Sequence, residues 1–170
     1  MHEKSKYYIS KLQLSQHPEG GYFNEIYRSE EYFQSEYLPK RYTGDRNFST
    51  SIYFLLDGDQ KSTFHKIRSD EIWHFYDGSS AKIFVIDENG IFSEFLIGNN
   101  LEEGENFQIV IKRNCWFAAE VTDKKSFSLV GCTVSPGFDY KDFELGDRIS
   151  LIKQFPQYEE IIKKFTKFIL

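Results

Sequence analysis

The sequence predicts an all-β fold in which short antiparallel strands form a sandwich or a barrel. Short runs of aromatic and β-branched residues follow one another along the chain, with turn residues about every ten positions. Asp57-Gly58 ends one run, and Asn89-Gly90, a strong hairpin signal, lies between two others. Aromatic residues make up 18% of the 170 residues, which suits a fold with a ring-filled interior.

Nine segments carry the strand pattern. The first, residues 22–29, alternates Phe23, Glu25 and Tyr27 with the side chains between them, as a half-buried strand does. The remaining predicted strands are 51–56, 62–67, 71–77, 81–87, 91–97, 107–111, 116–121 and 126–134.

The two ends of the chain are predicted to be helical. Residues 4–14 carry a weak helical pattern, and a second helix begins near Pro156, with acidic residues in its first turn and lysines later, as the helix dipole favours. Its apolar positions share one face, which predicts docking onto the sheet; a helix on a membrane surface is the alternative. That face is formed by Ile161, Phe165, Phe168 and Ile169.

Composition excludes several classes of protein. The 21 basic and 26 acidic residues give a net charge of −5, which argues against nucleic acid as a partner. No apolar run reaches the ~18 residues of a membrane span, and the N-terminus lacks the apolar core of a signal peptide. Cys115 and Cys132 lack the spacing of a zinc site or a disulfide framework. We therefore expect a cytoplasmic protein without a membrane partner.

The segment 64–78 carries the strongest functional signal. His65 and Glu71 have the same parity on an extended chain, so both can face one interior, and Gly78 follows. This spacing resembles the first motif of the cupin superfamily, with Ile67 at the place of its second histidine. The second cupin motif corresponds to residues 112–117, where Phe117 replaces the histidine.

The resemblance extends over most of the chain. Five blocks in order, at 17–29, 50–56, 69–78, 116–120 and 130–145, are similar to a family of small cupins that resembles dTDP-4-dehydrorhamnose 3,5-epimerase in fold. The resemblance implies a cupin double-stranded β-helix, or jelly roll, with a pocket inside the barrel and a homodimeric assembly. It implies no particular reaction. No linker or repeat divides the chain, so residues 1–170 are expected to form a single cupin domain.

The same resemblance argues against a metal cofactor. Metal cupins usually present three histidines and one glutamate, and only His65 and Glu71 match here. His74 has the opposite parity to Glu71 and is expected on the outer face. We therefore expect no metal and no other cofactor.

Three functions stay open. In the first, the protein is a metal-independent isomerase or epimerase that binds a small polar or sugar-like molecule, with His65 as the base and Glu71 orienting it. Tyr53, Tyr27 or Tyr140 would donate the proton from the opposite side. The second is a non-catalytic binding protein for the same class of ligand, and the third is a degenerate metal-dependent cupin enzyme.

Further residues are expected to bind the ligand. We place Glu25, Tyr27, Arg28, Arg46 and Ser51 at the mouth of the pocket, where the arginines could anchor a carboxylate or phosphate. Trp73, Gln108 and Trp116 are expected to face the cavity. Salt bridges at strand edges and ordinary core packing are the structural alternatives for these two groups.

Overall fold

The computed structural model describes residues 1–167, in which thirteen strands and three α-helices follow one another. The helices are α1 (Glu3–Lys11), α2 (Arg148–Gln154) and α3 (Glu159–Lys164). The strands are β1 (Ser15–Gln16), β2 (Tyr22–Arg28), β3 (Tyr32–Phe33), β4 (Arg46–Asn47), β5 (Thr50–Asp57), β6 (Lys61–Lys66), β7 (Asp70–Gly78), β8 (Ala81–Ile86), β9 (Phe92–Ile97), β10 (Gln108–Ile111), β11 (Trp116–Val121), β12 (Phe127–Ser135) and β13 (Glu144–Leu145).

The strands form two antiparallel sheets and a small ribbon. The six-stranded sheet has the order β1-β2-β5-β12-β7-β10, the five-stranded sheet has the order β13-β6-β11-β8-β9, and β3 pairs with β4. The chain crosses repeatedly between the two sheets, for example through residues 58–60 between β5 and β6 and residues 79–80 between β7 and β8, as in a jelly roll. The predicted all-β cupin fold is therefore confirmed, and each of the nine predicted strands corresponds to one of β2 and β5–β12.

The main core lies between the two sheets. Trp73 on β7 packs edge-on against Phe54 on β5 and Phe117 on β11, and aliphatic side chains from both sheets surround these rings. Alternate residues of each strand point into this layer, which is why the sequence repeats every second position. Edge-on aromatic rings therefore fill part of the space between the sheets, and a cavity remains beside them.

The outer face of the five-stranded sheet is covered by the C-terminal helices. Leu151, Phe155, Ile162 and Phe165 pack on Phe84, which confirms that this segment docks onto the sheet. The helix that was predicted near Pro156 begins at Glu159 after a single 3-10 turn, and α2 was not predicted. Phe168 and Ile169 lie outside the described residues. No helix within residues 1–167 is long and apolar enough to cross a membrane.

The outer face of the six-stranded sheet is only partly covered. Side chains of α1 pack on its β5 and β12 end, around Leu55 and Leu129. Beyond α1, the outward side chains of β7 and β10 remain in contact with solvent, and we call them the open face: Ile72, His74, Tyr76, Gln108 and Val110. This face combines aliphatic, aromatic and polar groups at the edge of the sheet.

Candidate functional site

A cavity of about 80 Å³ opens between the two sheets, beside the main core. Strands β2, β5, β6, β7 and β12 supply its walls together with two loops, at residues 17–19 and 138–143. Most of the lining is apolar, with Phe23, Ile52, Phe54, Ile67, Phe138 and Phe143 around a few titratable groups. An enclosed, largely apolar space with a few polar groups is typical of a small-molecule site.

His65 lies deep in this cavity, on β6 beside the ring of Phe117. Its Nδ1–H donates to the backbone oxygen of Thr63 at 2.8 Å, because a carbonyl can only accept. Its Nε2 lies 2.9 Å from the Oε2 atom of Glu19. Both ring nitrogens of His65 therefore have partners inside the protein.

Glu19 and His65 form a buried ion pair. Burial acts to lower the pKa of His65, but the charge and hydrogen bond of Glu19 outweigh it and raise that pKa. Burial acts to raise the pKa of Glu19, while His65 and a 2.8 Å hydrogen bond from Ser62 keep it below its usual value. The pairing therefore favours the imidazolium form of His65 and the carboxylate form of Glu19.

The expected pairing of His65 with Glu71 is therefore wrong. Both side chains do line the cavity, but the carboxylate that holds His65 is Glu19. Because Nδ1 and Nε2 both have partners within the protein, His65 has no free nitrogen with which to take a proton from a ligand. The structure does not support the base that the sequence predicted.

A close approach of two backbones brings Glu19 to this position. The backbone oxygen of Glu19 accepts from Thr63 N at 2.9 Å, so the 17–21 turn lies directly against β6. At Gly20, with φ of 116°, a Cβ would lie 2.1 Å from the Lys61 oxygen, so only glycine fits. The pair of glycines directly after His-Pro-Glu is the sequence signal for such an approach.

Glu71 stands on β7 at the floor of the cavity, with 8% of its surface exposed. Burial raises its pKa to about 7; Glu19 adds to this, and His65, Cys132 and Trp73 oppose it. The indole Nε1 of Trp73 is buried and has no hydrogen-bond partner within the described residues. The floor therefore holds a carboxyl group that titrates near neutral pH and a donor without an acceptor.

His17 lines the cavity beside the ion pair, with its ring edge-on to Phe23 and Phe54. Its Nδ1 accepts from the backbone N–H of Glu19 at 3.3 Å and lies 3.5 Å from Oε2 of the same residue. Burial lowers the pKa of His17; the charge of His65 also lowers it, and Glu19 only partly opposes them. His17 is therefore neutral, and it extends the polar end of the cavity.

Glu25 and Arg28 sit at the mouth, as predicted, but they bind each other. Arg28 donates from Nε and Nη2 to the two carboxylate oxygens of Glu25, at 2.9 and 2.7 Å. Its Nη1 donates to Asn47 Oδ1 and to the Phe138 oxygen. Trp73 also lines the cavity, as predicted, and Tyr140 lines its mouth with 56% of its surface exposed.

Three predicted site residues point to the other face of their strands. Tyr53 on β5 packs edge-on against Tyr76 on the outer side, because Ile52 and Phe54 take the inner positions. Trp116 belongs to the cluster under the C-terminal helices, and Gln108 lies exposed opposite His74. The cavity lining therefore excludes the predicted catalytic Tyr53.

Three more lie outside the cavity. Tyr27 is 53% exposed and is not part of the lining. Ser51, its partner in register on β5, is not part of the lining either, whereas its neighbours Thr50 and Ile52 are. Arg46 is buried, and its Nε and Nη2 each donate to Asp142 at 2.7 Å. Its guanidinium is thus committed to a structural ion pair and cannot anchor a ligand.

The donor set does not fit the metal centre of other cupins. Ile67 and Phe117 occupy two of the four ligand positions, and both nitrogens of His65 already have partners. Within residues 1–167, no group of three or more His, Cys, Asp or Glu side chains is placed to hold a metal ion.

Comparison with known proteins gives the family. Residues 6–146 match the family model described as cupin superfamily (DUF985). The uncharacterized protein YML079W of Saccharomyces cerevisiae is 31% identical over 143 residues, which cover 79% of this chain and 71% of that protein.

Solved structures agree with this match. Protein SO0799 from Shewanella oneidensis is similar over 98% of this chain and 99% of its own, with a TM-score of 0.86 and 35% identity. Oxalate decarboxylase from Bacillus subtilis matches at a TM-score of 0.55 and 14% identity, over 88% of this chain and 36% of its own, which supports the fold alone. The chain belongs to the DUF985 family of the cupin superfamily.

Proposed function

We propose that the protein binds a small polar organic molecule inside the cavity between its sheets. The observation that carries this proposal is the unpaired polar floor. The Trp73 indole N–H lies buried at the cavity without a hydrogen-bond partner among residues 1–167, and the buried Glu71 carboxyl beside it has no ion-pair partner there. Buried polar groups are nearly always paired in proteins, so a bound molecule that supplies the missing partners explains the arrangement.

Proton transfer is the chemistry that this site supports, in a metal-independent isomerase or epimerase. A carboxyl whose pKa lies at about 7 can both accept and give a proton at neutral pH. The acid–base role therefore passes from His65 to Glu71, while the His65–Glu19 ion pair supplies a fixed local field. Three tyrosines were expected as proton donors, and of these Tyr140 lines the cavity, at its mouth.

Non-catalytic binding is the second candidate. The observation that favours it is the commitment of His65, Glu19, Arg28 and Glu25 to one another, because such pairs position a ligand without reacting with it. A sugar-like ligand, a homodimer and a cytoplasmic location complete the proposal; the first two rest on the family resemblance and the third on composition.

Ligand extraction followed by exchange tests the proposal. Mass spectrometry of the denatured protein should identify a co-purified small molecule, and thermal-shift screening of sugars and nucleotide sugars covers the case of an empty cavity. With the ligand in D₂O, an isomerase incorporates deuterium at carbon and a binding protein does not.

Variants separate the two candidate bases. Glu71→Gln should reduce exchange by ~100- to 10,000-fold at saturating ligand, the usual contribution of a general base. His65→Asn should retain exchange in whatever fraction stays folded. Loss of exchange in a folded His65→Asn protein together with full exchange in Glu71→Gln would restore the histidine as base.

A further inference from the structure

The positive side chains that line the cavity are already neutralised. His65 pairs with Glu19 at 2.9 Å, and Arg28 makes a two-point contact with Glu25. The third basic residue of the lining, His17, is kept neutral by burial. Within the described residues, the cavity therefore offers no uncommitted cation to an anionic ligand.

Glu71 is the carboxyl of the cavity lining that takes part in neither of these ion pairs. It is 92% buried, it opens onto the cavity, and no ion pair joins it to another residue among 1–167. Burial opposes its ionised form and outweighs the charge of His65, which favours that form; the charge of Glu19 also opposes it, and Cys132 and Trp73 favour it. A positive group from outside the chain would complete this floor, since a buried carboxylate needs a charged partner.

The walls above Glu71 suit the rest of such a molecule. Phe23, Phe54, Phe138, Phe143 and Tyr140 surround the space with aromatic rings. Ring faces attract ammonium groups, and ring edges and aliphatic side chains pack against hydrocarbon. We propose that the ligand of this cavity is a small organic cation, whose ammonium group contacts the Glu71 carboxylate while its hydrocarbon part lies against these rings.

This inference rests on the proposed function and narrows its ligand class. A neutral hydroxyl compound could hydrogen-bond to Glu71 but would leave the carboxylate without a counter-charge. A carboxylate or phosphate would meet Glu19, Glu25 and Glu71 with no free cation to offset them. The charges of the lining therefore predict that the cavity binds a cation most tightly, a neutral molecule less tightly and an anion least tightly.

The two tryptophans of the chain provide the readout. The Trp73 indole lines the cavity, whereas Trp116 lies in the cluster under the C-terminal helices and serves as an internal control. We would titrate the ¹⁵N-labelled protein with n-butylammonium, n-butanol and n-butyrate, which share one hydrocarbon chain and differ in the charge of the head group. The two indole signals are assigned with Trp116→Phe.

Butylammonium should shift the Trp73 signal at concentrations about tenfold lower than butanol, and butyrate should leave it unmoved. Glu71→Gln should bring butylammonium binding down to the butanol level and leave butanol binding as it was. Glu94→Gln, which removes an exposed carboxylate on β9 outside the cavity lining, is the matched control and should retain the preference for ammonium.

Equal binding of butanol and butylammonium by the wild-type protein would overturn the cation proposal while supporting a small-molecule site. This comparison does not depend on any variant folding. A preference for ammonium that survives Glu71→Gln would also overturn it. A Trp73 signal that responds to none of the three probes would contradict the proposed function itself.

Discussion

The Glu71 carboxyl predicts how the stability of the protein depends on pH. Its pKa is about 7 in the folded protein and near its ordinary value of 4.5 in the unfolded chain. Between these values the folded state holds a proton that the unfolded state has lost, so stability from this group is full below about pH 4.5 and falls as pH rises to about 7. The loss amounts to about 3 kcal/mol.

Glu71→Gln removes this contribution because an amide does not ionise. Relative to the wild type, the variant should therefore gain about 3 kcal/mol in unfolding free energy between about pH 5 and about pH 8. Urea unfolding of both proteins at the two pH values measures this. The titratable neighbours His65, Glu19 and Cys132 are present in both proteins, and the difference therefore reports Glu71 together with its effect on the pKa values of His65 and Cys132. If the difference in unfolding free energy between the two proteins were the same at both pH values, the Glu71 carboxyl would not be desolvated as described.

The ion pair on the opposite side of the cavity makes a separate prediction. Glu19→Gln removes the charge that raises the pKa of His65, so burial should then dominate and the pKa should fall below its ordinary value of 6.5. Histidine NMR titration measures the change, with exposed His2 as the reference signal. We expect a stability loss of about 3 kcal/mol near neutral pH, the usual scale for breaking a buried pair. An unchanged His65 titration would contradict the assigned pairing.

At the scale of elements, the segment 136–143 forms one wall of the cavity and is held from outside it. Gly137 N donates to Asn47 O at 2.8 Å, and Phe138 N donates to Thr50 Oγ1 at 2.9 Å. At its far end, Asp142 binds Arg46 through two hydrogen bonds of 2.7 Å. Arg46, which the sequence suggested as a ligand anchor, thus positions the wall that carries Phe138, Tyr140 and Phe143.

Arg46→Met should therefore destabilise the protein by about 3–5 kcal/mol, because it leaves the Asp142 carboxylate buried without its partner. Arg68, whose Nε is 3.9 Å away, is too distant to replace the two hydrogen bonds. The double variant Arg46→Met with Asp142→Leu should recover most of the loss, since two apolar side chains replace two buried charges. Chemical unfolding of the three proteins tests this, and a stable single variant would show that the pair is dispensable.

At the scale of the whole molecule, the sequence predicted more of the fold than of the site. Strands β2 and β5–β12 follow from alternation and turn residues that lie within each segment. The contact of Glu19 with His65 joins residues 46 positions apart; the glycine pair indicates a close backbone approach there, but it does not identify β6 as the partner. Strand parity likewise places Trp116 and Phe117 on opposite faces of their sheet, but it does not determine which of the two faces inward. In the structure Phe117 faces the main core.

The open face makes the last prediction, which concerns assembly. Strand β10 is the edge of the six-stranded sheet, and next to it the outward side chains of Tyr76 and Val110 are 49% and 48% exposed. An unpaired edge beside exposed apolar side chains favours association with a second copy. We therefore predict a dimer, with a mass in light scattering of twice the 20.1 kDa of one chain.

Val110→Asp should convert this dimer to a monomer, because it places a charge in the centre of the contact while its side chain stays outside the core of the subunit. Phe95→Asp is the matched control: Phe95 is 38% exposed on β9, the edge strand of the other sheet, and its replacement should leave the dimer intact. Far-UV circular dichroism of both variants verifies that the subunit is folded. A wild-type mass of one chain would remove the dimer from the proposal. A folded, dimeric Val110→Asp would instead place the contact on another surface.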